Sequence, residues 1–123
     1  MTTANRRMRV TRLYTGSDQQ SHFEDFEVEM DDHGPIGHLS ARHAVASLIF
    51  RHTGADYDYD WHNAPQRQYI VILEGGLDIE TGDGTRRVFG AGDILLAEDT
   101  TGQGHISRAV DGQPRRSLFI TID

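Results

Sequence analysis

The sequence predicts an all-β chain closed into a sandwich or barrel. Apolar and polar residues alternate with a period of two over most of its length, and glycine-containing turns punctuate that alternation at short intervals. No window carries a 3.6-residue apolar stripe sustained over three helical turns.

In chain order, strands are expected over Met8 to Tyr14 and Phe23 to Glu29. The stretch from 30 to 42, "MDDHGPIGHLSAR", breaks the rhythm with charges, two His, Gly and Pro, and reads as a long loop of the kind that walls or covers pockets. Alternation resumes over Val45 to His52. Gln68 to Leu73 and Leu77 to Thr81 are joined by "EGG" at 74 to 76, where glycine supplies the positive φ of a tight hairpin. "GDG" at 82 to 84 does the same before Thr85 to Phe89, and "FGAGD" at 89 to 93 before Asp93 to Ala97. His105 to Val110 and Ser117 to Ile122 complete nine strands, and so many short strands in 123 residues imply one sandwich or barrel rather than two domains.

Composition narrows the chemistry. An apolar content of 37% in a chain this long suits one core and one pocket, so a single domain over 1 to 123 is expected. There is no cysteine, which removes thiolate nucleophiles, disulfides and sulfur-ligated metals. All 12 basic residues are arginine, which removes Schiff-base chemistry on lysine. A net charge of −7 argues against nucleic acid as a partner. No apolar run has the length of a membrane span or a signal peptide, so no membrane association is expected and the cytoplasm is the expected location. The cluster Arg6, Arg7, Arg9 and Arg12 reads as a solvated edge strand.

One stretch carries more information: "DWHNAPQRQYIVILEGG", 60 to 76, is a histidine, a polar turn and an apolar strand ending in Gly-Gly. Here the chain resembles the cupin superfamily, whose motifs run G-x5-H-x-H-x(3,4)-E-x6-G and G-x5-P-x-G-x2-H-x3-N. The resemblance covers 54 to 110, and it implies a cupin-type double-stranded β-helix, that is, a jelly-roll barrel or sandwich. With the first motif's final glycine on Gly75, its glutamate falls on Gln68. Its two histidines fall on Trp61 and Asn63 or, with the shorter spacing, on His62 and Ala64, so at most one survives. The second motif starts at Gly92 and Asp93, and its histidine position holds Gln103. His105 takes that role if the loop "EDTTGQGH" is lengthened by two residues, while Ala109 stands where the terminal asparagine would.

What the resemblance implies about the site follows residue by residue. In the family three imidazoles and a carboxylate hold a divalent transition metal. Here Gln68 offers only a neutral amide, so a site without tightly bound metal is expected. The alternative is a metal such as Fe, Mn, Ni or Zn held by His62 and His105, with His52 or Glu98 completing the set. By the family's orientation Gln68 faces inward, and alternation then places Ile70 and Ile72 on the same face as an apolar floor. His62, His105 and Gln68 are the expected catalytic group, since imidazole suits proton transfer near neutral pH. Tyr57 and Tyr59, just before the motif, and Arg67, on its turn, are expected to contact substrate together with Glu98.

Three functions are therefore carried forward: a metal-independent lyase, dehydratase or isomerase; a metal-dependent dioxygenase or decarboxylase; and a binding module for a small acid or sugar. The ligand is a small molecule in each case. The strands at the two chain ends, with Val10, Leu13, Leu118 and Ile120, are expected at sheet edges and suggest a homodimer.

Overall fold

The computed structural model describes residues 8 to 123; Arg6 and Arg7 of the arginine cluster lie outside the described residues. Twelve strands are formed among them: β1 (Met8–Thr15), β2 (Ser21–Val28), β3 (Asp31–Asp32), β4 (His38–Leu39), β5 (Ser47–Thr53), β6 (Asp58–His62), β7 (Gln68–Glu74), β8 (Gly76–Thr81), β9 (Arg86–Gly90), β10 (Ile94–Ala97), β11 (His105–Arg108) and β12 (Arg115–Thr121). The nine expected strands are all present within a few residues of their expected bounds. The additions are β6, whose charges and aromatics mask its alternation, and the two-residue pair β3 and β4 inside the expected long loop, which also holds one 3-10 turn at Gly34–Ile36.

Two sheets enclose the core. One has the order β2-β1-β10-β7-β12-β5 and the other β6-β11-β8-β9. From β5 onward the chain passes repeatedly from one sheet to the other, which is the winding of a jelly roll. Only β1 against β10 is parallel among the described pairs. Leu13, Ile70, Ile72, Leu95 and Phe119 from the larger sheet meet Leu77, Ile79 and Phe89 from the smaller. Ile72 and Leu95 are fully buried, each contributing about 1.5–3 kcal/mol relative to exposure.

The first and last described strands do not form sheet edges. β1 lies between β2 and β10, and β12 lies between β7 and β5. Val10 and Leu13 are accordingly core residues rather than edge contacts. The true edges of the larger sheet are β2 and β5, and β5 exposes Leu48 and Phe50, the latter at 78%. Among the described residues no helix is long and apolar enough to cross a membrane.

Two β-bulges matter for the site. Between β11 and β6 the register runs His105 to His62 and then Ser107 to Tyr59, which leaves one extra residue on β6. Strict alternation would place Tyr57, Tyr59 and Trp61 on one face; the extra residue exchanges Trp61 for His62. Between β12 and β7 the register shifts between Arg116 and Ser117, so that Leu73 and Glu74 are both exposed while Ser117 stands opposite Ile72.

Candidate functional site

Between the sheets lies a cavity of about 330 Å³, within the range of small-molecule sites. His62, Gln68, His105, Tyr57, Tyr59 and Ile70 all line it. Its remaining walls are mostly apolar side chains from both sheets, among them Leu77, Ile79, Leu95 and Phe119.

At one end the two histidine rings meet with centroids 4.4 Å apart. Their backbones can approach because residue 104 is glycine: at φ +76° it sits in the left-handed region, and a Cβ there would lie 2.1 Å from the His62 carbonyl oxygen. The lengthened loop is fastened by Asn63, whose side-chain amide donates to the carbonyls of Thr101 (2.8 Å), Asp99 (3.2 Å) and Gly102 (3.2 Å). Both imidazoles are held through Nδ1. In His62 that nitrogen lies 2.7 Å from the Asp60 carbonyl oxygen, which can only accept, so Nδ1 carries the proton. In His105 it lies 2.5 Å from Oδ2 of Asp99, a fully buried carboxylate that also accepts from Ser21 Oγ at 2.8 Å. Each ring is left with Nε2 free of protein partners among the described residues.

Desolvation holds His62 below its ordinary pKa, against the opposing pull of the Asp60 carbonyl and with added repulsion from His105. A neutral ring with a bare Nε2 is a base. Tyr59 stacks on His62 at 3.8 Å between centroids, fixing the ring plane. Gln68, 7% exposed, adds an amide with no protein partner that can both donate and accept.

At the other end of β12 the cavity is lined by two arginines, Arg51 and Arg115. Arg115 is 3% exposed and makes one hydrogen bond, Nη2 to Thr53 Oγ1 at 3.2 Å; Nε and Nη1 are buried without partners, as is Ser117 Oγ. Its guanidinium carbon stands 5.2 Å from the Tyr57 ring centroid and that of Arg51 5.7 Å from the same ring. Burial pushes the Arg115 guanidinium below its ordinary pKa; Tyr57 opposes this and the Arg51 charge adds to it. Gly75, at φ +79°, lets the start of β12 pass close by, since a Cβ there would lie 2.2 Å from the Pro114 carbonyl oxygen.

Other expected site residues are placed elsewhere. Arg67 and Glu98 do not line the cavity: Glu98 accepts from Arg12 Nε at 2.6 Å and from Arg67 Nε at 2.8 Å, an ion cluster outside it. Burial alone would raise the Glu98 carboxyl, but these two partners hold it below its ordinary value. The carboxylate that reaches a histidine of the cavity is the neighbouring Asp99. Ile72 is buried core beyond the cavity wall rather than its floor. His52 is exposed, and alternation along β5 turns it away from the face that carries Ile49 and Arg51.

That placement bears on a metal. Among the described residues no group of three or more His, Asp or Glu side chains could hold an ion. Two imidazoles and a neutral amide lack the anionic ligand of the cupin set, and Asp99 is spent behind His105, so the residues present do not fit that centre.

No protein-family model matches the chain, and no curated protein matches it. Solved structures do. A protein of Neisseria meningitidis is 16% identical with a TM-score of 0.49, the match covering 62% of this chain and 72% of that one. An RmlC-like cupin of Desulfovibrio desulfuricans is 16% identical with a TM-score of 0.44, covering 95% and 82%. Fe(II) HppE in complex with substrate is 14% identical with a TM-score of 0.46; the match covers 61% of this chain and only 44% of that one. With identities and TM-scores this low, these likenesses decide neither substrate nor reaction. The all-β jelly roll is the fold that the resemblance to cupins implied.

Proposed function

We propose that this chain is a small-molecule enzyme of lyase, dehydratase or isomerase type that moves a proton at a carbon next to a carbonyl, using His62 and His105 in the cavity. The observation that carries the reading is the pair of imidazoles 4.4 Å apart, each anchored through Nδ1 with Nε2 left free. Asp99 orients His105 and would stabilise the imidazolium that forms when its Nε2 takes a proton, the role a buried carboxylate plays behind a histidine base. The proton taken up by His105 Nε2 would be handed back from that same nitrogen at the neighbouring position, the bare Nε2 of His62 would accept from a substrate hydroxyl, and Gln68 can donate to the carbonyl oxygen as charge develops there.

The test is hydrogen exchange in D2O. A panel of 2-oxo and 3-hydroxy carbonyl compounds is incubated with the protein and followed by proton NMR. Catalysed deuterium incorporation that falls 100-fold or more in both His62→Asn and His105→Asn is expected, the scale of a general base. Exchange with no member of the panel, or exchange indifferent to both substitutions, contradicts the reading.

For assembly we propose a homodimer formed through β5. This edge presents an unpaired backbone together with Phe50 and Leu48, a combination that a two-fold pairing would cover. Phe50→Glu should shift the mass in light scattering from two chains to one; a monomeric parent protein at micromolar concentration rejects the idea.

A further inference from the structure

We infer that Arg115, held by Thr53 and with Arg51 beside it, forms an anion subsite that binds the carboxylate of an organic acid at the end of the cavity away from the histidines. The inference names the substrate class of the enzyme proposed above, but its geometric basis is separate from the histidines.

Arg115 is almost completely buried and yet has no carboxylate partner among the described residues. By contrast Arg12, Arg67, Arg86, Arg87, Arg108 and Arg116 each pair with an Asp or Glu side chain. The guanidinium that is hardest to solvate is therefore one left without a counter-charge, and its Nε and Nη1 hold three N–H bonds with no acceptor. A planar guanidinium matches a carboxylate in shape, charge and hydrogen-bond direction.

The rest of the cavity fits the remainder of such a molecule. Phe119 and Ile70 are cross-strand partners on β12 and β7, and both line the wall beyond Arg115. Tyr57 stands beside both arginines, and Tyr59 lies 6.4 Å from Tyr57 and 3.8 Å from His62, so one aromatic side links the two polar ends. An acid with its carboxylate on Arg115 and an apolar body against Phe119 and Tyr57 would extend its other end toward Gln68 and the imidazoles.

The test is binding, read by thermal shift and calorimetry on the intact chain. The probes are acetate, benzoate and phenylacetate, each compared with its uncharged amide, and inorganic phosphate. At least one carboxylate should bind while its amide does not, and Arg115→Met should weaken that carboxylate at least tenfold. Arg116→Gln, at an exposed arginine outside the cavity, should leave this binding unchanged, and because binding is read without turnover, a failed proton-transfer reading and a failed anion subsite give different results. Arg51→Gln provides the second variant: it should weaken the same carboxylate several-fold, and it carries the test alone if Arg115→Met does not fold. The inference is overturned if no carboxylate binds in preference to its amide, if binding survives the arginine substitutions, or if phosphate binds more tightly than every carboxylate, which would reassign the subsite to phosphate esters.

Discussion

The two ends of the cavity are built on opposite principles. At the histidine end the protein supplies its own partners: Asp99 and Ser21 stand behind His105, the Asp60 carbonyl holds His62, and Asn63 ties down the loop between them. At the arginine end it withholds them, leaving Arg115 buried with two unpartnered nitrogens. The histidine network, in which only Asp99 Oδ1 is left without a partner, fixes orientation, which proton transfer requires; an unpaired buried cation is costly until a ligand supplies the counter-charge. The same contrast explains why each end needs one glycine at a close approach, Gly104 under His62 and Gly75 under Pro114: both positions are determined by backbone geometry as well as by side chains.

The largest effect is expected at the histidine end. Gly104→Ala forces a Cβ against the His62 carbonyl from a left-handed backbone, so it should destabilise the fold by about 3 kcal/mol or more, read by urea denaturation. A loss below about 1 kcal/mol would mean that the histidines are not held together by this contact. Asp99→Asn comes next: His105 loses a charged acceptor and Ser21 a carboxylate, with an expected cost of roughly 1–3 kcal/mol and a loss of any His105-dependent exchange.

Arg115→Met should go the other way. Replacing a buried unpaired cation with an apolar chain of similar length is expected to leave stability unchanged or raise it by up to about 4 kcal/mol in the ligand-free protein. A loss of several kcal/mol would make Arg115 a structural brace and dissolve the contrast between the two ends. The smallest effect concerns pH. Because His62 is held below its ordinary pKa, the unfolded chain takes up that proton first as pH falls. The stability that neutral His62 contributes is present above the ordinary histidine value and is lost on acidification toward the lower folded value. The Tm difference between the parent and His62→Asn should therefore shrink between pH 8 and pH 5; a difference that grows would reverse the sign assigned to His62.

The legible part of this molecule was carried by turns and strand rhythm. Hairpin glycines and alternation locate β7 through β10, and motif spacing brings Gln68, His62 and His105 to one cavity. Three features were beyond such reading for physical reasons. The bulge on β6 changes the inward phase between Tyr59 and His62, and no residue in "DYDWH" announces an extra residue in the ladder. Glu98 and Asp99 are adjacent carboxylates, and which one turns inward depends on Arg12 and Arg67, which are far apart in the chain and draw Glu98 outward. Arg67 sits in the motif and drew attention as a ligand clamp, whereas Arg115 lies outside it. Its one available signal is alternation along β12, which places Arg115, Ser117, Phe119 and Thr121 on the buried face and puts a cation where an apolar residue is the norm.

The central claim is that the cavity joins two imidazoles, each holding its proton on Nδ1 and offering a bare Nε2, to an arginine that awaits an anion. The most direct measurement is nitrogen-15 NMR of the histidine side chains at pH 8, where ordinary histidines are neutral, with assignments from His62→Asn and His105→Asn. Both rings are expected in the Nδ1–H form, with each Nε2 resonance perturbed when an organic acid is added. An Nε2–H form in either ring would contradict it, because that ring would then have no lone pair facing the ligand.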